Sequence, residues 1–183
     1  MLILASASPR RSELLTAAGI DHVVRPAAVP EIREREEPAQ EFVRRLAETK
    51  ARALSSATDE IVLGADTVVC IENEVLGKPR DREDAVRMLR LLSGRDHLVH
   101  TGICLLSRKA CVVDLETTRV SFARLTEEEI SQYTQSGEPA DKAGAYAIQG
   151  LASKFVLRIE GSYGNVVGLP VALVYRHLKA LSE

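Results

Sequence analysis

Two placements of charge stand out in this chain of 183 residues, because each sets an ionic group where an apolar one would normally lie. The first is Ser8-Pro9-Arg10-Arg11, directly after the apolar run Leu2-Ile3-Leu4-Ala5. A strand feeding a helix whose first turn carries Ser, Pro and two Arg is a ready anion site, since unpaired backbone N–H groups and the positive helix end point at the junction. Phosphate is the natural candidate, and a pair of snorkelling surface arginines is the structural alternative. The second placement is Asp66, inside Ile61-Val62-Leu63-Gly64-Ala65-Asp66-Thr67-Val68-Val69, a run that otherwise reads as a strand buried on both faces. A lone carboxylate there costs several kcal/mol, against a total stability of roughly 5–15 kcal/mol for a domain. Asp66 must therefore meet a basic side chain, coordinate a metal, or sit at the strand's end facing a cleft with its pKa shifted for function. Open α/β sheets bind ligands at strand ends, which favours the cleft.

More charge of the same kind follows along the chain. Lys50 falls on the apolar stripe Phe42, Val43, Leu46, Ala47 and Leu54 of a helix predicted over 38–57, so it either snorkels to an edge or meets an anion. Lys78 lies where Gly77-Lys78-Pro79 breaks the chain into a loop. Ser8, Arg10, Arg11, Lys50 and Lys78 together supply donors and positive charge, while Asp66 and the acids near Glu31 supply oxygen ligands suited to Mg²⁺. Cations for phosphate beside carboxylates for magnesium make the kit of a nucleotide-processing site. Neither G-x-x-x-x-G-K-[ST] nor G-x-G-x-x-G occurs, so no P-loop or dinucleotide fold is indicated. His22, His97, His100 and His177 are scattered without ligand spacing, and no serine sits in a nucleophile elbow. The simplest chemistry left is metal-assisted attack of water on phosphorus, with a carboxylate activating the water.

The elements that must position these groups can be read from periodicity and caps. A helix is predicted over 8–19, with Leu14, Leu15 and Ala18 as its stripe and Gly19 as its stop; Arg10 and Arg11 each precede a stripe leucine by four residues. A short strand is expected over 21–26. The charge-rich stretch 31–37 reads as a solvated loop in which Glu31 does not stand out on physical grounds. Residues 71–76 suggest a hairpin, and Asp81 is the expected N-cap of a helix through Met88, Leu89 and Leu92 that ends near Gly94. Residues 97–107 and 110–125 read as two long strands of a hairpin centred near Lys109. Thr126 with Glu129 forms a capping box. The stretch 141–150 is full of small residues that let backbone approach a ligand, and by composition alone it is a flexible loop. A strand at 155–159, a turn-rich connector over 161–168 and a terminal helix over 170–181 complete the chain.

Composition bounds the class. A hydrophobic fraction of 45% and a charged fraction of 27% lie in the soluble globular range. The net charge of −2 argues against general affinity for a nucleic acid polymer or an anionic membrane, and the absence of Trp argues against base stacking along a single strand. Cys70, Cys104 and Cys111 are odd in number and read as reduced core or strand thiols, which fits a cytoplasmic protein. The apolar start, Met1-Leu2-Ile3-Leu4, lacks a basic flank and is too short for a signal peptide or membrane span. The length suits one domain, or one domain with two lobes.

A set of blocks in order along the chain sharpens this. Leu4-Ala5-Ser6-Ala7-Ser8-Pro9-Arg10-Arg11, Arg45-Leu46-Ala47 with Lys50-Ala51, Gly64-Ala65-Asp66-Thr67-Val68-Val69, Leu76-Gly77-Lys78-Pro79, Asp141-Lys142-Ala143-Gly144-Ala145-Tyr146, Ile148-Gln149-Gly150 and Val167-Gly168-Leu169-Pro170 resemble the Maf family of nucleoside triphosphate pyrophosphatases. The resemblance implies one domain over 1–183 of α/β class, with a long central mixed β-sheet flanked by helices and two lobes with a deep cleft between them, often in a homodimer. It implies hydrolysis of a nucleoside triphosphate to the monophosphate and pyrophosphate with a divalent cation, usually Mg²⁺. The 141–146 block and Gln149 look like the branch that prefers dTTP and UTP rather than the sister branch acting on 7-methyl-GTP. By the same resemblance Asp66 is the general base, Arg10, Thr67 and Gln149 bear on substrate choice, Ser8, Arg11, Lys50 and Lys78 serve the phosphates, and Glu31 joins Asp66 at the metal. Ala147 departs from the pattern, which has Gly between Tyr and Ile. Two other classes remain open: a nucleotide-binding regulator of division or septum formation without turnover, and a structural protein whose Asp66 only pairs with Lys50 or Lys78.

Overall fold

The computed structural model describes residues 1–55 and 60–182. In chain order the elements are β1 (Leu2–Leu4), α1 (Pro9–Ala17), β2 (His22–Val24), α2 (Ala39–Ser55), β3 (Ile61–Ile71), β4 (Glu74–Leu76), α3 (Arg82–Leu92), β5 (Asp96–Leu106), β6 (Cys111–Phe122), α4 (Glu127–Gln135), β7 (Val156–Glu160), α5 (Tyr163–Val167) and α6 (Val171–Ser182). Three short 3₁₀ turns lie between α4 and β7. The strands hydrogen-bond in the order β2-β1-β3-β5-β6-β7, with β4 paired to β3 off that path. β1 runs parallel to both β2 and β3, whereas β3–β4 and β6–β7 are antiparallel, so the seven-stranded sheet is mixed, as expected. Helix α2 is described as far as Ser55, and the last residues of the predicted 38–57 helix lie outside the described residues.

The described residues gather into two compact units. The first combines Met1–Asp66, Thr101–Glu116 and the chain from Gly168 onward; the second combines Thr67–His100 and Thr117–Val167. In the first unit, alternation along the strands sorts the core into two layers. Leu2, Leu4, Leu63, Ala65, Ile103 and Leu105 pack with Leu15 of α1 and Leu173 and Val174 of α6. Ile3, Ala5, Val62, Cys104 and Leu106 face the other way, onto Ala47 and Ala51 of α2. The α1 stripe is narrower than predicted: Leu15 is buried, Leu14 half-buried and Ala18 exposed, and Arg11 takes the inward position one turn before Leu15.

Helix α2 approaches the sheet closely because two strand residues lack a Cβ. A methyl group at Gly64 of β3 would overlap the Ala47 carbonyl and lie 2.9 Å from the Ala51 nitrogen. One at Gly102 of β5 would lie 2.7 Å from the Arg44 nitrogen.

In the second unit α3 packs against α4. Both helices start as their caps predict. The Asp81 carboxylate accepts from Asp84 N–H at 2.7 Å, and both halves of the Thr126–Glu129 capping box are formed. The stretch read as a flexible loop is instead packed: Gly144, Ala145, Tyr146, Ala147 and Ile148 are all buried. Composition misleads here because small residues also serve close packing, and edge-to-face contacts of Tyr146 with Phe122 and His97 anchor the segment. The connector at 161–168 contains the short helix α5. Among the thiols Cys104 is buried and Cys70 half-buried, as expected of strand cysteines, but Cys111 is exposed.

Gly64→Ala should lower folding stability by about 3 kcal/mol, the upper end of overpacking costs. Chemical denaturation measures this, and a variant as stable as the parent would contradict the close approach of α2 to β3.

Candidate functional site

The close approach of α2 determines where its lysine goes. Ala47, Lys50 and Ala51 lie on one face of the helix, and Asp66 lies two residues beyond Gly64 on the same side of β3. With Ala47 and Ala51 seated over Gly64, the Lys50 ammonium reaches the Asp66 carboxylate at 2.6 Å. The same ammonium meets Glu31 Oε1 at 2.6 Å. Two carboxylates thus share one cation. The side chains of Lys50 and Asp66 are 8% and 10% exposed, whereas that of Glu31 is 46% exposed, so the cluster is closed on the sheet side and open on the loop side.

Glu31 owes its position to a second ion pair. Arg45 of α2 holds Glu37 in a bidentate fork, at 2.6 and 2.7 Å, and donates to the Ile32 carbonyl at 3.0 Å. The fork raises the pKa of Arg45 and lowers that of Glu37, in each case chiefly through the shared hydrogen bonds. The 31–37 stretch is therefore not simply solvated: its two ends are fastened to α2, one through Glu31–Lys50 and the other through Glu37–Arg45. An alternation of acids and arginines carries no mark of which members pair, so the sequence could not single out Arg45 and Glu37.

Arg11 supplies the third charge. It is buried, and it donates from Nε to the Gly168 carbonyl at 2.8 Å and from Nη1 to the Ala65 carbonyl at 2.8 Å and Ser6 Oγ at 3.0 Å. Burial lowers its pKa, opposed by the charges of Asp66 and Glu31. Bonded to the carbonyl preceding Asp66, it is a fixed positive charge behind the carboxylates. Ser6, which sequence reasoning passed over, also accepts from the Ser8 N–H at 3.2 Å and so ties the strand end to the start of α1. Ser8 is the N-cap of that helix with Pro9 next to it, its side chain makes no capping bond, and the first turn carries no acid. Arg10 is half-buried beside it.

Burial is the largest influence on Asp66 and raises its pKa; Lys50 and Arg11 pull it back down, and Glu31 adds to the rise. The net direction is upward. Once ionised, Asp66 is a more avid proton acceptor than an ordinary carboxylate. Glu31 and Asp66 also present hard oxygens, no more than two short hydrogen bonds apart, that converge on the Lys50 ammonium. That donor set fits Mg²⁺, which is commonly held by one or two carboxylates, with phosphate oxygens and water completing its shell. Among the described residues no group of three or more His, Cys, Asp or Glu gathers to hold a metal.

The remaining predicted site residues belong to the second unit. Thr67 is half-buried at the β3 position after Asp66, and Lys78 and Gln149 are exposed on two loops. Those loops are joined through backbone, since Gly144 N–H donates to the Gly77 carbonyl at 3.0 Å. Gly144 must be glycine on two counts: its φ is +69°, and a Cβ would strike Val69. The next residue, Ala145, holds φ +60°, a left-handed conformation costing about 1–2 kcal/mol for a residue with a side chain. Such strain persists where surrounding packing overrules it. Tyr146 beyond it is buried and within 2.8 Å of His97 Nε2. Burial pushes the His97 pKa down to about 4, so this histidine is neutral and structural.

The sequence model of the Maf-like protein family matches residues 1–181. A dTTP/UTP pyrophosphatase of Koribacter versatilis is 52% identical over 179 residues, covering 97% of this chain and 93% of the relative. Another from Escherichia coli O157:H7 is 50% identical over 179 residues, covering 97% and 91%. In fold the chain is similar to the Ham1 protein of Staphylococcus aureus, with a TM-score of 0.56 over 98% of both chains at 12% identity. The ordered motifs, the mixed sheet and the match along nearly the whole length agree, and the chain belongs to the Maf-like protein family.

Proposed function

We propose that this chain hydrolyses nucleoside triphosphates to the monophosphate and pyrophosphate, with dTTP and UTP preferred, and that residues 1–183 act as one functional domain. The observation that carries the reading is the Lys50 ammonium shared between buried Asp66 and half-open Glu31, with Arg11 fixed behind them. Relatives about half identical over nearly the whole chain bear the name dTTP/UTP pyrophosphatase, which supports the substrate class.

In this reading Glu31 and Asp66 hold a divalent cation, Mg²⁺ by the hardness of their oxygens. When bound, the ion neutralises charge on the triphosphate and on the departing pyrophosphate. Asp66 takes a proton from water as the water oxygen forms its bond to the α-phosphorus; the bond from that phosphorus to the bridging oxygen breaks, and pyrophosphate leaves with the electron pair. Ser8, at a helix start whose N–H groups favour anions, serves the phosphates, as do Lys50, Lys78 and Arg11, the last as a charge that does not move. Arg10, Thr67 and Gln149 serve substrate choice. The Gln149 amide offers a donor and an acceptor, the pattern needed by the O4/N3 edge of thymine or uracil. A site that hydrogen-bonds one edge rejects another by leaving groups unpaired. The same reading makes the protein a cytoplasmic homodimer that needs neither nucleic acid polymer nor membrane.

One alternative has an observation behind it, because the Lys50–Asp66 pair at 2.6 Å is what a purely structural role would also require. Asp66→Asn separates the two readings. Pyrophosphate release should fall by about 10² to 10⁴ with folding retained, the range for loss of a general base; full activity with lowered thermal stability would establish the structural role. Lys50→Ala leaves two carboxylates facing each other, so Mg²⁺ should raise the melting temperature of that variant more than it raises that of the parent. An equal rise in both proteins would argue against a cation held by Glu31 and Asp66. Across a panel of canonical and 7-methylated triphosphates, dTTP and UTP should turn over well above CTP, the purine nucleotides and 7-methyl-GTP. Stoichiometric binding without pyrophosphate release would instead mark a nucleotide-sensing regulator.

A further inference from the structure

Gln149 lies exposed in a turn closed by Gly150 N–H donating to the Ala147 carbonyl at 3.1 Å. Two side chains hold that turn from below. The hydroxyl of Tyr133, on α4, donates to Glu138 Oε1 at 2.8 Å and accepts from Ala147 N–H at 3.2 Å. The second carboxylate oxygen, Oε2, accepts from Leu151 N–H at 3.0 Å. Each oxygen of the pair is thus spent on a different end of the turn. Gly150 lies directly on the carboxylate, and a Cβ there would overlap Glu138. Tyr133 is itself fixed by an edge-to-face contact with Phe155, at 5.6 Å and 88°.

We infer that Tyr133 and Glu138 are positioning residues for Gln149, and that this pair, rather than Gln149 alone, sets how sharply pyrimidine bases are told apart. The inference rests on the reading of Gln149 as the base-selecting side chain. A long amide on an exposed turn can distinguish a donor edge from an acceptor edge only if its backbone is held to a fraction of an ångström, and a supporting shell of hydrogen bonds does that. Here the side-chain part of that shell is a chain of three bonds, Ala147 N–H to Tyr133 to Glu138 to Leu151 N–H, beside the backbone bond from Ser153 N–H to the Gly150 carbonyl at 3.0 Å. Losing the hydroxyl loosens the N-terminal end of the turn, and losing the carboxylate loosens the C-terminal end. Neither change removes a group assigned to phosphate or metal.

The test compares kcat/KM for dTTP and CTP in Tyr133→Phe, Glu138→Ala, Gln149→Ala and the double variant Tyr133→Phe/Gln149→Ala, with the melting temperature of each. Tyr133→Phe and Glu138→Ala should each lower the dTTP-to-CTP ratio by about tenfold, the worth of one well-placed hydrogen bond. The double variant should match Gln149→Ala alone, because a support has nothing left to act on once its side chain is gone. A parental ratio in Tyr133→Phe and Glu138→Ala, beside a collapsed ratio in Gln149→Ala, overturns the positioning role and leaves base selection by Gln149 standing. Additive losses in the double variant overturn it too. An unchanged ratio in Gln149→Ala overturns the base-selecting role, and this inference with it. If Glu138→Ala does not fold, Tyr133→Phe, which keeps the ring against Phe155, decides the question.

Discussion

Helix α2 can lie on β3 and β5 only because Gly64 and Gly102 present backbone where other residues would present a Cβ, and the arrangement of charge follows from that approach. A wider helix–sheet spacing would leave the Lys50 ammonium short of Asp66, and a buried carboxylate without a partner carries a penalty of several kcal/mol. A narrower one is impossible against the Ala47 carbonyl. The alanines at 47 and 51 complete the fit, and both are fully buried. Packing geometry therefore comes before electrostatics in this unit: two glycines and two alanines set a distance, and an ion pair uses it.

The electrostatics that result are deliberately unbalanced. Asp66 is buried beside Lys50 and Arg11, yet its pKa moves up, because burial outweighs the attraction of both cations. A carboxylate in that state is costly to keep ionised and gains from any further positive charge brought to it. Glu31 deepens the imbalance by sharing Lys50 rather than leaving it to Asp66. Arg45 and Glu37 make the sharing possible by pinning the intervening loop to α2. A purely structural ion pair has no need of a second carboxylate on the same ammonium, so the sharing of Lys50 between Asp66 and Glu31, with Arg11 beside them, goes beyond what fastening α2 to β3 requires.

Local rules accounted for much of the architecture. Caps at Asp81 and Thr126–Glu129, the apolar stripe of α2 and the apolar run of β3 each depend on neighbours within one or two turns, and each appeared where the residues placed it. Spacing alone puts Ala18 on the same face as buried Arg11 and Leu15, but α1 ends at Ala17 and Ala18 is its exposed C-cap. The small residues of 141–150 suggested a loose loop, whereas Gly144 and Ala145 hold left-handed backbone against Val69 and Tyr146 is locked among aromatic rings. The contacts that pack 141–150 are remote in sequence.

The sequence by itself determined the types of group available for chemistry, the strand that carries Asp66, the helices that carry Arg11 and Lys50, and the family to which their ordered motifs point. Spacing of 2 and 3.6 residues and the chemistry of caps are properties of short segments, so they survive without a fold. Tertiary structure alone decided that Asp66 chooses Lys50, that Lys50 also takes Glu31, that Arg45 selects Glu37 from a run of acids, and that Tyr133 reaches Ala147 through the same hydroxyl that holds Glu138. Charge pairing is a matter of a few ångströms between atoms many residues apart, and only the packing of backbone against backbone sets those distances.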